Sequence, residues 1–558
     1  MVALLASVAA ALLVPAGAPA ATGDLTFAQC FDDDDTNLEG AKCAGAPGLD
    51  QASSVATSSD GKSVYVASFS NHAIVRFNRN TTTGALTFGE CIEAVTDLEG
   101  TTCSDAPGLL GATSVAVSAD GKSVYLASLT DDTIVRFNRN TTSGDIGFAE
   151  CFQDKTDSPT DASECTDTSG LNGARWVAVS SDGRSLYVAS VADDAVVRFN
   201  RNATTGALTF AGCLDDEDTG SEAACPGAPG LANVNSVAVS GDGRSLYTAG
   251  SEDHAIVRFN RNTTSGAIGF AQCFQDKADA LADETACADR AGLNGANSVA
   301  VSADGKSLYA ASSFDFAIVG FDRNTTTGAL TFAECFDDED TGAEAACPGA
   351  PGLANVNSVA VSRDGRSLYA AGLGDNAIVS FDRTTSGDIA FAECFDDEDT
   401  NLEGPKCPGA PALDAAASVA VSADGRSLYA AAIDDDAVAR FNREPVAGPP
   451  GEPPPGPRND FSFGKVKKNK RKGTAKLTIE IVEGPGGLEL VKTKKVKSDD
   501  EAVEDAGATE EKLVIKPKGK ARKKLGNKGR ARVKAEVTYT PTGGEPNTQT
   551  KRIRLIKR

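Results

Sequence analysis

The side chains best suited to chemistry in this chain are 14 cysteines, two histidines and a large excess of carboxylates. The cysteines fall in seven pairs: Cys30 with Cys43, Cys91 with Cys103, Cys151 with Cys165, Cys213 with Cys225, Cys273 with Cys287, Cys335 with Cys347, and Cys394 with Cys407. Partners are 12 to 14 positions apart, and the first cysteines of successive pairs step by 59 to 62. Structural zinc uses ligand pairs about two to four apart, often with histidine, so the spacing argues against it. Redox pairs are also closer and sit near a helix N-terminus. An even count in an exported chain reads as disulfides, one per pair.

Hydrolysis or isomerisation would need a positioned base and groups to hold an oxyanion. His72 and His254 share one repeat position, which is Asp132, Asp194, Phe316, Asn376 and Asp436 in the other copies. A position that accepts Phe and Asn reads as a variable turn site. The two imidazoles lie three repeats apart, so no catalytic residue is assigned. Runs such as Asp32 to Asp35, Asp215 to Asp218, Asp337 to Asp340 and Asp396 to Asp399 offer the oxygen ligands that calcium takes. No copy shows an EF-hand or the calcium-binding nonapeptide, and acidic loops commonly stay solvated. The expectation is no cofactor, with calcium as the one ion to test and no metal ligands assigned. Trp176, the sole Trp, follows Arg175 and replaces the Ser found at that point in the other copies. A lone Trp beside an Arg has the composition of a binding hot spot, so the pair is the candidate binding site. A local packing substitution is the plainer reading. The Asn-Thr-Thr at Asn80, Asn140, Asn262 and Asn324 matches a glycosylation sequon, but these residues also suit a turn.

The elements that must position these residues repeat with the cysteines. In the second copy, residues 114–118 alternate as a short strand, and Asp120-Gly121 signals a two-residue type I′ hairpin turn, which needs positive φ at both positions. Residues 123–128, 133–138 and 146–152 supply three more strands, and a loop of about twenty residues leads on. The Asp-Gly recurs seven times, followed at fixed offset by Tyr65, Tyr125, Tyr187, Tyr247, Tyr309, Tyr369 and Tyr429. That ladder reads as packing between repeats. Four antiparallel strands per unit, with no helix between, make a propeller blade. Residues 24–31 form a fourth-strand sequence, and the last copy, 418–442, lacks one. The first strand can therefore complete the last blade and close the ring.

Segments such as SVAVSADGKSVYLAS followed by TIVRFNRNTTSGDIGF resemble the YVTN and lactonase-like family of seven-bladed propellers. The resemblance covers residues 24–443. It implies the fold. It also implies, as the alternative function, a hydrolase or isomerase of the 6-phosphogluconolactonase or muconate cycloisomerase type. The cysteine-bearing loops resemble those of a secreted bacterial subset. In the usual topology of such a ring, the acidic loops and turn acids collect on one face. Lys62, Lys122, Arg184 and their equivalents, with Arg79, Arg139, Arg201, Arg261, Arg323 and Arg383, would gather on the other.

The charge divides the chain in two. From Arg458 onward 28 Lys and Arg face 13 Asp and Glu, whereas the preceding 457 residues carry a net charge of -39. Adaptation to high salt would acidify both parts. Residues 1–20 read as a signal peptide, with an apolar run at 2–14 and Ala18-Pro19-Ala20 at the cleavage site. No other stretch could cross a membrane. Residues 444–459 are a Pro/Gly-rich linker, and 460–558 alternate as five or more short strands. They resemble the basic Ig-like appendages of exported actinobacterial proteins. A basic domain with one aromatic after Phe463 suits an anionic envelope polymer better than nucleic acid. The expectation is all-β: a seven-bladed propeller of four-stranded blades plus a small C-terminal β-sandwich. Its function would be that of a secreted or cell-surface scaffold, monomeric and non-catalytic, binding an extracellular protein or envelope polymer.

Overall fold

The computed structural model describes residues 23–36, 38–95, 102–155, 164–219, 225–278, 286–340, 347–400, 402–444, 461–481, 486–491, 493, 495–497, 499–503, 509–541 and 547–557. The proposed signal peptide and nearly all of the linker lie outside these residues.

Each repeat folds as one blade. In blade 2, Ala112–Val117, Ser123–Ser128, Thr133–Arg139 and Ile146–Gln153 pair in order, all antiparallel. The alternating residues of the second and third strands are buried on both faces, as sheets packed between neighbours require. The apolar clusters span adjacent blades: Tyr65, Ala67 and Ile74 of blade 1 pack with Val115, Val124 and Leu126 of blade 2. The core of the ring therefore lies between blades.

All seven expected disulfides form, one per inter-blade loop. Cys30 bonds Cys43, Cys91 bonds Cys103, Cys151 bonds Cys165 and Cys213 bonds Cys225. Cys273 bonds Cys287, Cys335 bonds Cys347 and Cys394 bonds Cys407, which leaves no free thiol. The Cα separations run from 4.6 to 5.1 Å. Each bridge closes a short loop, worth about 3 kcal/mol in the chain-entropy account.

Two local features differ from the sequence expectation. Every blade has a fifth strand, a stretch of two or three residues just after the second cysteine of the pair: Cys43, Cys103, Cys165, Cys225, Cys287, Cys347 or Cys407. In blade 1, Ser104–Ala106 pairs parallel with the end of Leu86–Ala94, and the bridge from Cys91 to Cys103 holds that register. The Asp-Gly turn is also not a two-residue type I′ turn. Only Gly121 has positive φ, at 64°, and the Asp120 carboxylate accepts the Ser118 hydroxyl and the Lys122 N–H.

The ring closes as its ends suggest. Leu25–Asp33 pairs antiparallel with Ala437–Arg443 and is the fourth strand of blade 7. The first strands of the seven blades contact one another in an unbroken cycle, Ala52–Thr57 meeting Ala416–Val421. That cycle lines the central tunnel.

The C-terminal region forms two sheets of three and four strands around one apolar core. Leu477 and Ile479 of the first sheet share it with Val533, Val537 and Leu555 of the second. The alternating pattern predicts no helix here, but Gly519–Lys528 is one. Ala521 and Leu525 fix its buried side, and Gly529 ends it in the left-handed conformation. Its five Lys and Arg hide that short apolar pattern.

Candidate functional site

Three sets of side chains hold the blades and their loops together, and they include both histidines. The first joins Tyr, Arg and Asp across every junction. Arg139 of blade 2 donates through Nε to the Tyr65 hydroxyl of blade 1 at 2.7 Å, and through its amino groups to Asp60. The same arrangement occurs seven times, with Nε to hydroxyl distances of 2.6 to 2.7 Å. Burial alone would raise the Asp60 carboxyl, but the Ser58 hydroxyl and the Arg139 guanidinium hold it below the usual range. These arginines have fully buried side chains, so they do not form a basic face. At the seam of the ring, Arg443 meets Tyr369, and that hydroxyl donates to Gly23 O.

The second set includes both histidines. His72, Asp132, Asp194, His254, Phe316, Asn376 and Asp436 all adopt φ of 51 to 55°. Six of them accept a backbone N–H from the next blade. His72 Nδ1 takes Gly111 N–H at 3.0 Å, His254 Nδ1 takes Gly295 N–H at 3.0 Å, and Asp132 takes Gly173 N–H at 2.7 Å. This role requires the His254 imidazole to carry its proton on Nε2, whereas His72 Nδ1 also lies 2.7 Å from the Phe69 carbonyl, so its tautomer decides which of the two bonds forms. The position is thus a structural acceptor rather than a free turn site, which is why Asp, Asn and His interchange there.

The third set comprises loop and turn acids. Asp32, Asp33, Asp216, Asp338 and Asp397 are buried, whereas Asp34, Asp35 and Asp218 are exposed. Asp33 Oδ2 accepts Leu49 N–H at 2.8 Å and Asp216 Oδ2 accepts Leu231 N–H at 2.9 Å, each fastening its loop. The acidic face is therefore thinner than the sequence suggests. Some acids crowd: burial, with Asp216 and Asp194 nearby, pushes Asp253 up to about 7.

The tunnel differs from these seams. The second residue of every first strand sits at a β-bulge, between the paired residues on either side, as at Ala174 and Trp176. A bulge re-aims its side chain, and here the seven are Ser53, Thr113, Arg175, Asn235, Asn297, Asn357 and Ala417. They hydrogen-bond around the axis. Ser53 donates to Ala112 O, Thr113 to Arg175 O, Asn297 to Asn357 Oδ1, and Asn357 to Ala417 O at 2.8 Å. Arg175 is the one charged member. Burial pulls its guanidinium below the ordinary value, and no carboxylate is among the residues around it.

Arg175 and Trp176 line a cavity of about 250 Å³ at the tunnel mouth, with Phe69, Leu129 and Ile433 from other blades. Trp176 is half-buried and packs against the blade 4 cluster that includes Val234 and Val237. Trp176 therefore both packs in the seam and lines the cavity. At six junctions a serine hydroxyl accepts the N–H of a valine in the next first strand, as Ser114 does from Val177 at 3.3 Å. At the seventh, Trp176 stands in place of that serine and the link is missing.

Residues 90–225 match the family described as Lactonase, 7-bladed beta-propeller. That stretch runs from the fourth strand of blade 1 to Cys225, in the loop after the fourth strand of blade 3. Among solved structures, a putative 6-phosphogluconolactonase from Bacteroides uniformis is 16% identical. The match covers 66% of this chain and 87% of that one, with a TM-score of 0.47. The periplasmic gluconolactonase PpgL of Pseudomonas aeruginosa is 17% identical, over 63% and 86%, at 0.44. A functionally unknown protein from Desulfotomaculum acetoxidans is 13% identical, over 69% and 93%, at 0.46. No curated protein matches the chain. Among the described residues no helix is long and apolar enough to cross a membrane.

Proposed function

We propose that the chain is an exported, non-catalytic scaffold whose propeller binds an anionic group of an extracellular partner at the Arg175–Trp176 cavity. The composition of the tunnel ring carries this reading. It offers one guanidinium, hydroxyls and amides, and no carboxylate or imidazole that could serve as a base. Both histidines engage backbone groups through Nδ1. A half-buried guanidinium without a counter-ion favours an anion, and the apolar rim would shield the pair. The alternative, a lactonase-like hydrolase or isomerase, draws on the family match over residues 90–225.

The C-terminal region supplies a second contact in this reading. Arg532 lies opposite Arg554 and Lys534 opposite Arg552 on the outward face of two paired strands. Lys495, Lys520, Lys524 and Arg530 extend that surface. Like charges placed opposite each other cost stability, and an anionic envelope polymer would relieve the repulsion. Its binding should weaken with salt.

Because Trp176 is the only Trp, its fluorescence reports on this site alone. Titration of the full chain with citrate should change the emission, and Arg175→Met should abolish the change. Turnover of gluconolactone or 6-phosphogluconolactone that Arg175→Met removes would establish the enzyme reading instead.

A further inference from the structure

Two groups of buried carboxylates are left over from the latches that fasten the loops. Asp397 ends the fourth strand of blade 6, Asp435 lies in the turn between the second and third strands of blade 7, and Glu39 lies in the loop after its fourth strand. One carboxylate oxygen of each falls within 4.8 Å of the others. Glu39 is 4% exposed, Asp397 1% and Asp435 7%. The blade 5–6 junction repeats the design with Asp338, Asp375 and Glu403.

The hydrogen bonds show which oxygens remain. Asp397 Oδ1 accepts the N–H groups of Asp399 and Thr400, at 2.9 and 3.0 Å. Its Oδ2 is enclosed and has no hydrogen-bond partner. The corresponding oxygens of Asp33, Asp216 and Asp276 each accept a loop N–H at 2.8 to 2.9 Å. Asp397 is thus released from the role its equivalents perform. Asp435 Oδ2 accepts Asp414 N–H at 2.7 Å, which leaves Oδ1. Lys42 reaches Glu39 at 3.2 Å but also serves Glu398 at 3.1 Å and Asp399 at 2.7 Å. One ammonium on the rim cannot neutralise five carboxylates, three of them buried. At the second junction Lys406 is shared in the same way with Glu339, Asp340 and Glu403. There Asp338 Oδ2 is still engaged by Leu353 N–H at 3.3 Å, so the second group is less free.

We propose that Glu39, Asp397 and Asp435 form a calcium site between blades 6 and 7, with Asp338, Asp375 and Glu403 as a weaker site of the same design. The donors are all carboxylate oxygens, which suits a hard cation. Calcium tolerates an irregular shell completed by water, whereas magnesium demands a small, near-octahedral one. The ion would clamp two blades through side chains from three separate chain segments.

The test is calcium titration of the full oxidised chain by calorimetry at neutral pH, with magnesium as the control. The expected result is saturable binding with a Kd on the order of 10⁻⁴ M, as in extracellular modules, and magnesium at least about tenfold weaker. Asp435→Asn should remove the tighter site and Asp375→Asn the weaker one. These variants retain the backbone bond, because Asn71 already fills the slot in blade 1 and accepts Asp50 N–H at 2.6 Å. Absence of binding up to about 10 mM calcium, beyond the weakest such modules, would overturn the proposal. So would binding that both variants leave intact.

Discussion

The seams between blades and the ring around the axis are built from the same repeat, yet they vary in opposite ways. Every seam has the same Tyr, Arg and Asp at the same spacing, and the hydrogen bonds agree to within a tenth of an ångström. At the axis, seven equivalent bulge positions hold Ser, Thr, Arg, Asn, Asn, Asn and Ala. Closure of a ring imposes one geometry on all seven junctions, so a substitution there strains a neighbour. A side chain aimed into an open tunnel meets no such demand. The axis is therefore where one blade can differ from the rest, and blade 3 differs most, with Arg175 and Trp176 adjacent.

The sharpest way to break this comparison is to remove one arginine from each region. Arg139→Met leaves the Asp60 carboxylate and the buried Tyr65 hydroxyl without their shared partner. Breaking such a buried pair costs about 3 kcal/mol. Arg175→Met removes a cation with no carboxylate among the residues around its cavity, so denaturant unfolding should place the variant at or above the wild-type midpoint. Equal losses from the two variants would erase the distinction between seam and axis.

The acids of the seams give the next effect. Asp253 is held protonated in the folded state to about pH 7, while the unfolded carboxyl ionises near its ordinary value. The folded chain therefore binds the extra proton between those limits, and stability falls as pH rises through that window. Above it the Asp253 contribution is flat. Asp253→Asn should reduce the slope, to which Asp50, Asp375 and Asp435 also contribute, and recover up to about 4 kcal/mol above pH 7. Urea midpoints at pH 5 and pH 8 measure it. An unchanged difference between the two midpoints would show that Asp253 titrates normally.

Much of this architecture is legible in the sequence. The period, the Asp-Gly turns and the unmatched fourth strand at 24–31 define a closed ring. The paired cysteines point to the bridges, because each second cysteine follows the first by only 12 to 14 residues. The short fifth strand after each bridge is not legible, since two or three residues carry no alternation. The arginines mislead because charge at a strand end looks like surface charge. Their sevenfold occurrence beside the Asp-Gly and Tyr ladders is the available signal. The histidine position looks variable because three side-chain types can accept the same N–H, a fact that becomes visible only when the neighbouring blade is in place. Arg175 stands out by its charge beside Trp176, but the other six members of the tunnel ring escape, because a bulge shifts the alternation by one residue and hides that these positions share the axis.

Phe316 offers a smaller gain. It is the one member of the acceptor set that cannot take the next blade's N–H, and its φ of 54° disfavours a bulky side chain. Phe316→Asn should supply the missing acceptor for Asn355 N–H and raise stability by about 1 kcal/mol in thermal unfolding. No gain would mean that the Phe ring compensates by packing.

The finest test lies where the two regions meet. Trp176 occupies a seam position but faces the axis, and it costs the ring one serine-to-valine hydrogen bond. Trp176→Ser should restore that bond to Val237 N–H, adding about 0.5 kcal/mol from the hydrogen bond itself. It would also strip the indole from the blade 4 cluster, which opposes the gain. The two terms are of similar size, so stability should stay nearly level while the cavity loses its aromatic wall. Citrate affinity, now followed by calorimetry because the fluorophore is gone, should fall sharply. If stability drops by more than about 3 kcal/mol, the low end of the cost of truncating a core aromatic, Trp176 is a packing residue first. If affinity also holds, the axis of blade 3 is no more specialised than the seams around it.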